Sequence, residues 1–100
     1  MTELTWTVPL AHPAFPGHFP GQPILPGVVL LDQAIALAAT VLAPDTTILG
    51  LGNAKFFRPV RPGTRLVFRF PPTGAAAQAF EILDGDQLVA SGSLSLSPRP

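Results

Sequence analysis

Two residues in the first third of the chain have the types that acid–base chemistry needs: an imidazole at His18 and a carboxyl at Asp32. The stretch that joins them, PGHFPGQPILPGVVLLDQ (residues 16–33), sets four prolines and three glycines around the histidine. It then runs into an apolar segment whose only charge is Asp32. Imidazole is the side chain whose unperturbed pKa lies close to neutral pH, which suits it to taking and returning a proton. A carboxyl held in apolar surroundings shifts toward its neutral, proton-donating form. His12 lies outside this stretch and reads as a solvated loop residue.

Composition removes several other chemistries. The chain has no cysteine, which excludes a disulfide framework, a thiolate metal site and a cysteine nucleophile. Two histidines and few carboxylates argue against a metal cage, so neither metal nor cofactor is expected. A net charge of zero argues against generic nucleic-acid binding. At 47% hydrophobic and 12% charged, the chain is too apolar for disorder. A chain of this length buries only about two thirds of the surface its unfolded form exposes, so pairing with another chain is expected. The start Met1-Thr2-Glu3-Leu4 lacks the basic residues of a signal peptide, and with no disulfide the expected location is cytoplasmic. Residues 27–43 are at the short limit for a membrane span. Asp32 inside them would cost about 2.5–3.5 kcal/mol, so no span is expected.

These groups need elements to hold them. Residues 3–8 alternate, Leu4, Trp6 and Val8 against Glu3, Thr5 and Thr7, and predict a first strand. Prolines at 9, 13, 16, 20, 23 and 26 deny residues 9–26 both helix and ladder hydrogen bonds, which leaves His18 on a stiff loop. Pro26 suits the first turn of a helix that continues to about Leu42 and stops at Pro44 and Asp45. Being apolar on every side, this helix is expected to be buried in protein. The pattern then changes to period two. Strands are predicted over 47–51 and 54–60, with Gly50, Gly52 and Asn53 marking a bend or bulge between them. Further strands are predicted over 65–70, 75–83 and 87–97, with a turn at Arg61-Pro62-Gly63-Thr64, another over 71–74 and a hairpin signal at Asp84-Gly85-Asp86. The expected architecture is a single α+β domain over residues 1–100. One long buried helix is wrapped by a curled, mostly antiparallel sheet of about five strands, and a second copy covers what remains.

The segment GHFPGQPILPGVVLLD (17–32) resembles the signature of the FabA/FabZ-type 3-hydroxyacyl-(acyl carrier protein) dehydratases, which adopt the hot-dog fold. AKFFRPVRPGTRLVF (54–68) resembles the strand-turn-strand that follows the helix in that family, and the short chain is similar in size to the compact ApeI-type branch. The resemblance implies dehydration of a 3-hydroxyacyl thioester to the trans-2-enoyl thioester in a fatty-acid, aryl polyene or polyketide-like pathway. The substrate would be carried on the phosphopantetheine arm of an acyl carrier protein. By match to the motif, His18 would take the C2 proton, Asp32 would protonate the leaving hydroxyl, and the Gly27 amide would hold the thioester oxygen. Family histidine and acid come from opposite subunits, which implies a homodimer or a heterodimer with another hot-dog subunit. Val28, Val29, Leu31 and Ile35 are candidates for an acyl tunnel, or plain core.

Lys55, Arg58, Arg61, Arg65 and Arg69 fall in a segment free of acids, while residues 1–54 contain no Lys or Arg. They form either a docking surface for an acidic carrier protein or an ordinary solvated sheet face. Two further readings use the same residues. A hot-dog acyl thioesterase would use Asp32 to activate water. A non-catalytic partner subunit of a heterodimeric dehydratase would fit Ala36, which stands where the family helix usually carries glutamine. Asp32 would serve a purely structural end if it paired with an arginine across an interface.

Overall fold

The computed structural model describes residues 1–10, 24–72, 74 and 76–98. The elements, in chain order, are β1 (Thr2–Thr7), α1 (Gly27–Val41), β2 (Thr46–Phe56), β3 (Arg65–Phe70), β4 (Ala77–Asp84) and β5 (Gln87–Pro98). The strands form one open sheet in the order β1-β3-β4-β5-β2, with every neighbouring pair antiparallel. The helix lies against one face of it.

Period-two patterning decides which face that is. Leu66, Phe68 and Phe70 of β3 and Gln78, Phe80 and Ile82 of β4 are buried, as are Val89, Ala90, Leu94 and Leu96 of β5. Their strand neighbours Arg65, Ala77, Ala79 and Gln87 are exposed. Trp6 meets Phe68 edge to face at 6.4 Å, which closes the β1 end of this core. Gln78 is buried among these apolar groups because its amide donates to the carbonyl oxygens of Pro71 at 2.8 Å and of Ala79 at 2.9 Å.

Turn chemistry sets the register. Gly85, at φ 62°, lets β4 pass into β5 through a two-residue loop, with Asp84 opposite Gln87. Gly63, at φ 79°, turns the chain into β3 while its amide donates to the Val8 carbonyl at 2.8 Å. The bend expected near Gly50–Asn53 is a pair of register shifts inside β2, between Ile48 and Gly50 and between Leu51 and Asn53. The strand expected over 54–60 ends earlier, at Phe56. Its pairing finishes as the amides of Phe57 and Arg58 both turn to the Val89 carbonyl, and Pro59 has no hydrogen to continue the ladder.

Helix α1 closely matches the range expected for it, but it is 15 residues long and is not buried on every side. Leu30, Ala34 and Ala38, spaced by four, form its buried stripe, and the two alanines let the backbone approach the sheet closely. Val28, Asp32, Ala36, Ala39 and Thr40 face away from the sheet and are exposed. The reason is geometric: one open sheet covers one side of a helix. Full burial of so apolar a helix needs a second surface, and none is found among the described residues. No described helix is long and apolar enough to cross a membrane.

Candidate functional site

The N-terminal turn of α1 opens into a groove of about 460 Å³ lined by Leu25, Gly27, Leu30, Phe56, Phe57, Arg58, Pro59 and Val60. Two hydrogen bonds hold its walls together. The Leu25 amide donates to the Val60 carbonyl at 2.7 Å, tying the segment before the helix to the segment after β2. The Phe57 amide donates to Val89 at 2.8 Å, anchoring the end of β2 to β5.

Pro26 stands at the N-cap with extended backbone, its carbonyl accepts from the Val29 amide at 3.0 Å, and no side chain caps this helix end. The amides of a helix's first turn have no acceptor within the helix and carry the positive end of its dipole. Gly27, the first helical residue, therefore combines an amide without an acceptor inside the helix with a place on the groove wall. The fit is close. A Cβ at residue 27 would lie 2.8 Å from Cζ and 2.9 Å from Cε1 of the Phe56 ring, so Phe56 occupies the space that any other residue would need.

Of the expected catalytic pair, His18 lies outside the described residues, as does His12. Asp32 is placed on the exposed stripe of α1, one turn beyond Val28 and one turn before Ala36. The burial expected for Asp32 is not supplied by the sheet, from which this residue faces away. Among the tunnel candidates, Val28 is 61% exposed, while Val29, Leu31 and Ile35 are partly buried and pack against the core.

The basic residues divide. Arg58 lines the Gly27 groove and also, with Arg61, an adjoining pocket of about 240 Å³ that includes Pro59, Thr64, Asp84 and Gln87. Arg69 donates from Nε to Glu3 Oε2 at 2.6 Å, so its charge is balanced within the chain. Lys55 is on the opposite sheet face, beside Ser91 and Glu81 in a separate depression. Arg65 is exposed at the start of β3.

Sequence reasoning passed over Phe56 and Phe57. Both are large apolar side chains about half exposed, at 49% and 53%, and both border the groove. The signal was two adjacent aromatics at the end of a strand, where alternation alone would turn only one of them inward.

The profile of the family described as ApeI-like, ApeI dehydratase, matches residues 1–93. The FabZ 3-hydroxyacyl-[acyl-carrier-protein] dehydratase of Anaeromyxobacter dehalogenans strain 2CP-1 is 48% identical, over 59% of this chain and 44% of that protein. The FabZ of Chlamydia trachomatis serovar L2 is 43% identical, over 88% of this chain and 66% of its own length. The chain thus spans less than two thirds of these curated relatives. Among solved structures, a chain of the dehydratase heterocomplex ApeI:P from Xenorhabdus doucetiae superposes with a TM-score of 0.78. The two are 28% identical, over 95% of this chain and 85% of that one. One helix on an open, five-stranded antiparallel sheet is thus a hot-dog-like arrangement.

Proposed function

The chain belongs to the ApeI-like dehydratase family, and we propose that it removes water from a 3-hydroxyacyl thioester to give the trans-2-enoyl thioester. The observation that carries this reading is the Gly27 groove. It puts an uncapped helix N-terminus, set in a motif that also contains His18 and Asp32, on the wall of an apolar slot.

In the proposed reaction the Gly27 amide donates to the thioester oxygen and stabilises the negative charge that grows there. The His18 imidazole takes the proton from C2, and the electrons of that bond form the C2–C3 double bond. The C3–O bond breaks as the Asp32 carboxyl gives its proton to the departing hydroxyl, which leaves as water. Return of the proton from imidazolium to carboxylate restores both groups.

In this reading Asp32 works under an apolar cover, and it lies on the exposed stripe of α1. Among the described residues, β2 is an edge strand of 11 residues with one long side unpaired. Leu49, Leu51, Phe56 and Phe57, in and just after it, are exposed at 44–67%, and Val28 of α1 at 61%. A long apolar edge left in water invites strand pairing. We read it as the seat of a second hot-dog subunit, either another copy or a distinct chain. That subunit would continue the sheet along β2, bury the outer stripe of α1 and complete the site with a histidine from one subunit and an acid from the other. It would cover the outer stripe that the described residues leave exposed. Support comes from the ApeI:P structure, which is a heterocomplex.

The acyl chain is read as carried by an acyl carrier protein. Arg58 and Arg61 beside the groove supply positive charge where an acidic carrier and its phosphopantetheine arm would approach. The test is to incubate the protein with 3-hydroxyacyl carrier proteins of several chain lengths and follow loss of one water by intact mass. Wild type is expected to dehydrate, and His18→Ala and Asp32→Asn to lose 100-fold or more, on the order of a general acid–base contribution. Full turnover in both variants would overturn the assigned roles.

A further inference from the structure

We propose that Phe56 is a specificity-determining wall that shuts out acyl chains branched at C2. The inference rests on the reading of Gly27 as the donor to the thioester oxygen.

The ring lies 2.8–2.9 Å from where a Gly27 Cβ would stand. By covalent geometry that puts a ring atom within about 5.3 Å of the Gly27 nitrogen. A carbonyl oxygen bonded to that nitrogen sits about 2.9 Å from it, so the carbonyl carbon and C2 are brought alongside the ring. The base of the wall is fixed: Phe56 pairs with Ala90 in the sheet, and the next amide, that of Phe57, is bonded to Val89. Leu25 and Leu30, which also line the groove, are 4% and 2% exposed, both packed in the core. A straight chain lies flat along this face, whereas a methyl at C2 meets the ring. The arrangement also assigns glycine at position 27 a second role. It lets the ring reach the helix start, as well as leaving the backbone open to substrate.

The experiment compares non-eliminating acyl amide analogues of the pantetheine thioester, straight or carrying a C2 methyl, for binding to the full chain together with whatever subunit it assembles with. Turnover of the matching 3-hydroxyacyl thioesters is measured in parallel. Wild type is expected to prefer the straight analogue by about 5- to 10-fold. Phe56→Ala should bring that ratio below 2-fold, chiefly by improving the branched ligand, and Phe56→Leu should fall between. Melting curves confirm that the variants fold. A ratio unchanged by Phe56→Ala, or wild type that binds both analogues alike or neither, overturns the wall. Discrimination in binding without any loss of water from the straight substrate would instead overturn the dehydratase reading and leave the wall standing.

Discussion

Arg69 on β3 and Glu3 on β1 are opposite one another in the antiparallel register and joined by a 2.6 Å hydrogen bond from Nε to Oε2. The pair separates Arg69 from the other basic residues of the 55–69 segment, which sequence alone groups together. Arg58 and Arg61 are exposed and share a pocket next to the groove, and these two are expected to guide an acidic carrier. Arg58→Glu and Arg61→Glu should each raise KM for a carrier-protein substrate 5- to 20-fold at low salt, an effect that shrinks as ionic strength rises. For Arg61→Glu, which lies off the Gly27 groove, KM for a small thioester lacking the carrier should stay within about 2-fold. Arg69→Gln should move neither value, and because the ion pair is 40–50% exposed it should change stability by about 1 kcal/mol or less. Equal KM effects from all three variants on the carrier substrate would return the docking surface to the whole segment.

Gly27 and Phe56 form the second testable pair. Adding a methyl at 27 forces the tip of the ring aside, and because that ring is half exposed it has room to swing. The expected stability cost of Gly27→Ala is therefore about 1 kcal/mol, at the low end for overpacking. Activity should fall much further, since the displaced ring and the added methyl both narrow the approach to the amide. In a Phe56→Ala background the same substitution should cost almost no stability. A double-mutant cycle in thermal unfolding, showing a coupling near zero, would remove the interlock.

How far the sequence could be read depended on the range of the forces involved. Hairpin and helix limits were legible because Gly85, Gly63, Pro26 and Pro44 act on their own neighbours. The helix was placed almost to the residue. Its burial was not, because Asp32 and Val28 face outward for a reason that belongs to the sheet's width and not to the helix sequence. Position along the chain also misled over charge. Lys55 and Arg58 are three residues apart, an odd spacing that period two turns to opposite sides, and Lys55 lines the outer depression while Arg58 lines the groove. The place of Gly27 at the helix start was legible from the motif, whereas Phe56 belongs to a strand far along the chain and meets Gly27 only through folding.

Gly92 on β5 gives a prediction about stability alone. A Cβ there would collide with the backbone carbonyl of Asn53 and stand 2.8 Å from Cζ of buried Phe80. Neither neighbour can yield cheaply, since one is main chain in the β2–β5 ladder and the other is core. Gly92→Ala is expected to destabilise by about 3 kcal/mol, the upper end of the overpacking range. Gln78→Leu should cost about 1–3 kcal/mol, because it leaves the Pro71 and Ala79 carbonyls without the donor they share. Urea unfolding measures both, and a Gly92→Ala variant as stable as wild type would mean that the β2–β5 contact is looser than described.

The sharing of one site between two copies can be tested without seeing the histidine at all. If His18 of one subunit works with Asp32 of the other, a homodimer of His18→Ala chains is dead, and so is a homodimer of Asp32→Asn chains. A mixed dimer has one site carrying both lesions and one carrying neither. Random exchange of equal amounts makes half the dimers mixed, so recovered activity should approach about a quarter of wild type. If both groups of a site come from the same chain, every site in the mixture carries a lesion and nothing is recovered. Leu51, exposed on the inner face of edge strand β2, supplies the control. Leu51→Lys puts an unpaired charge into the proposed seam and should abolish both dimerisation and complementation, read by light scattering and by turnover in the same samples. Dimers that survive Leu51→Lys with complementation intact would place the seam elsewhere on the molecule.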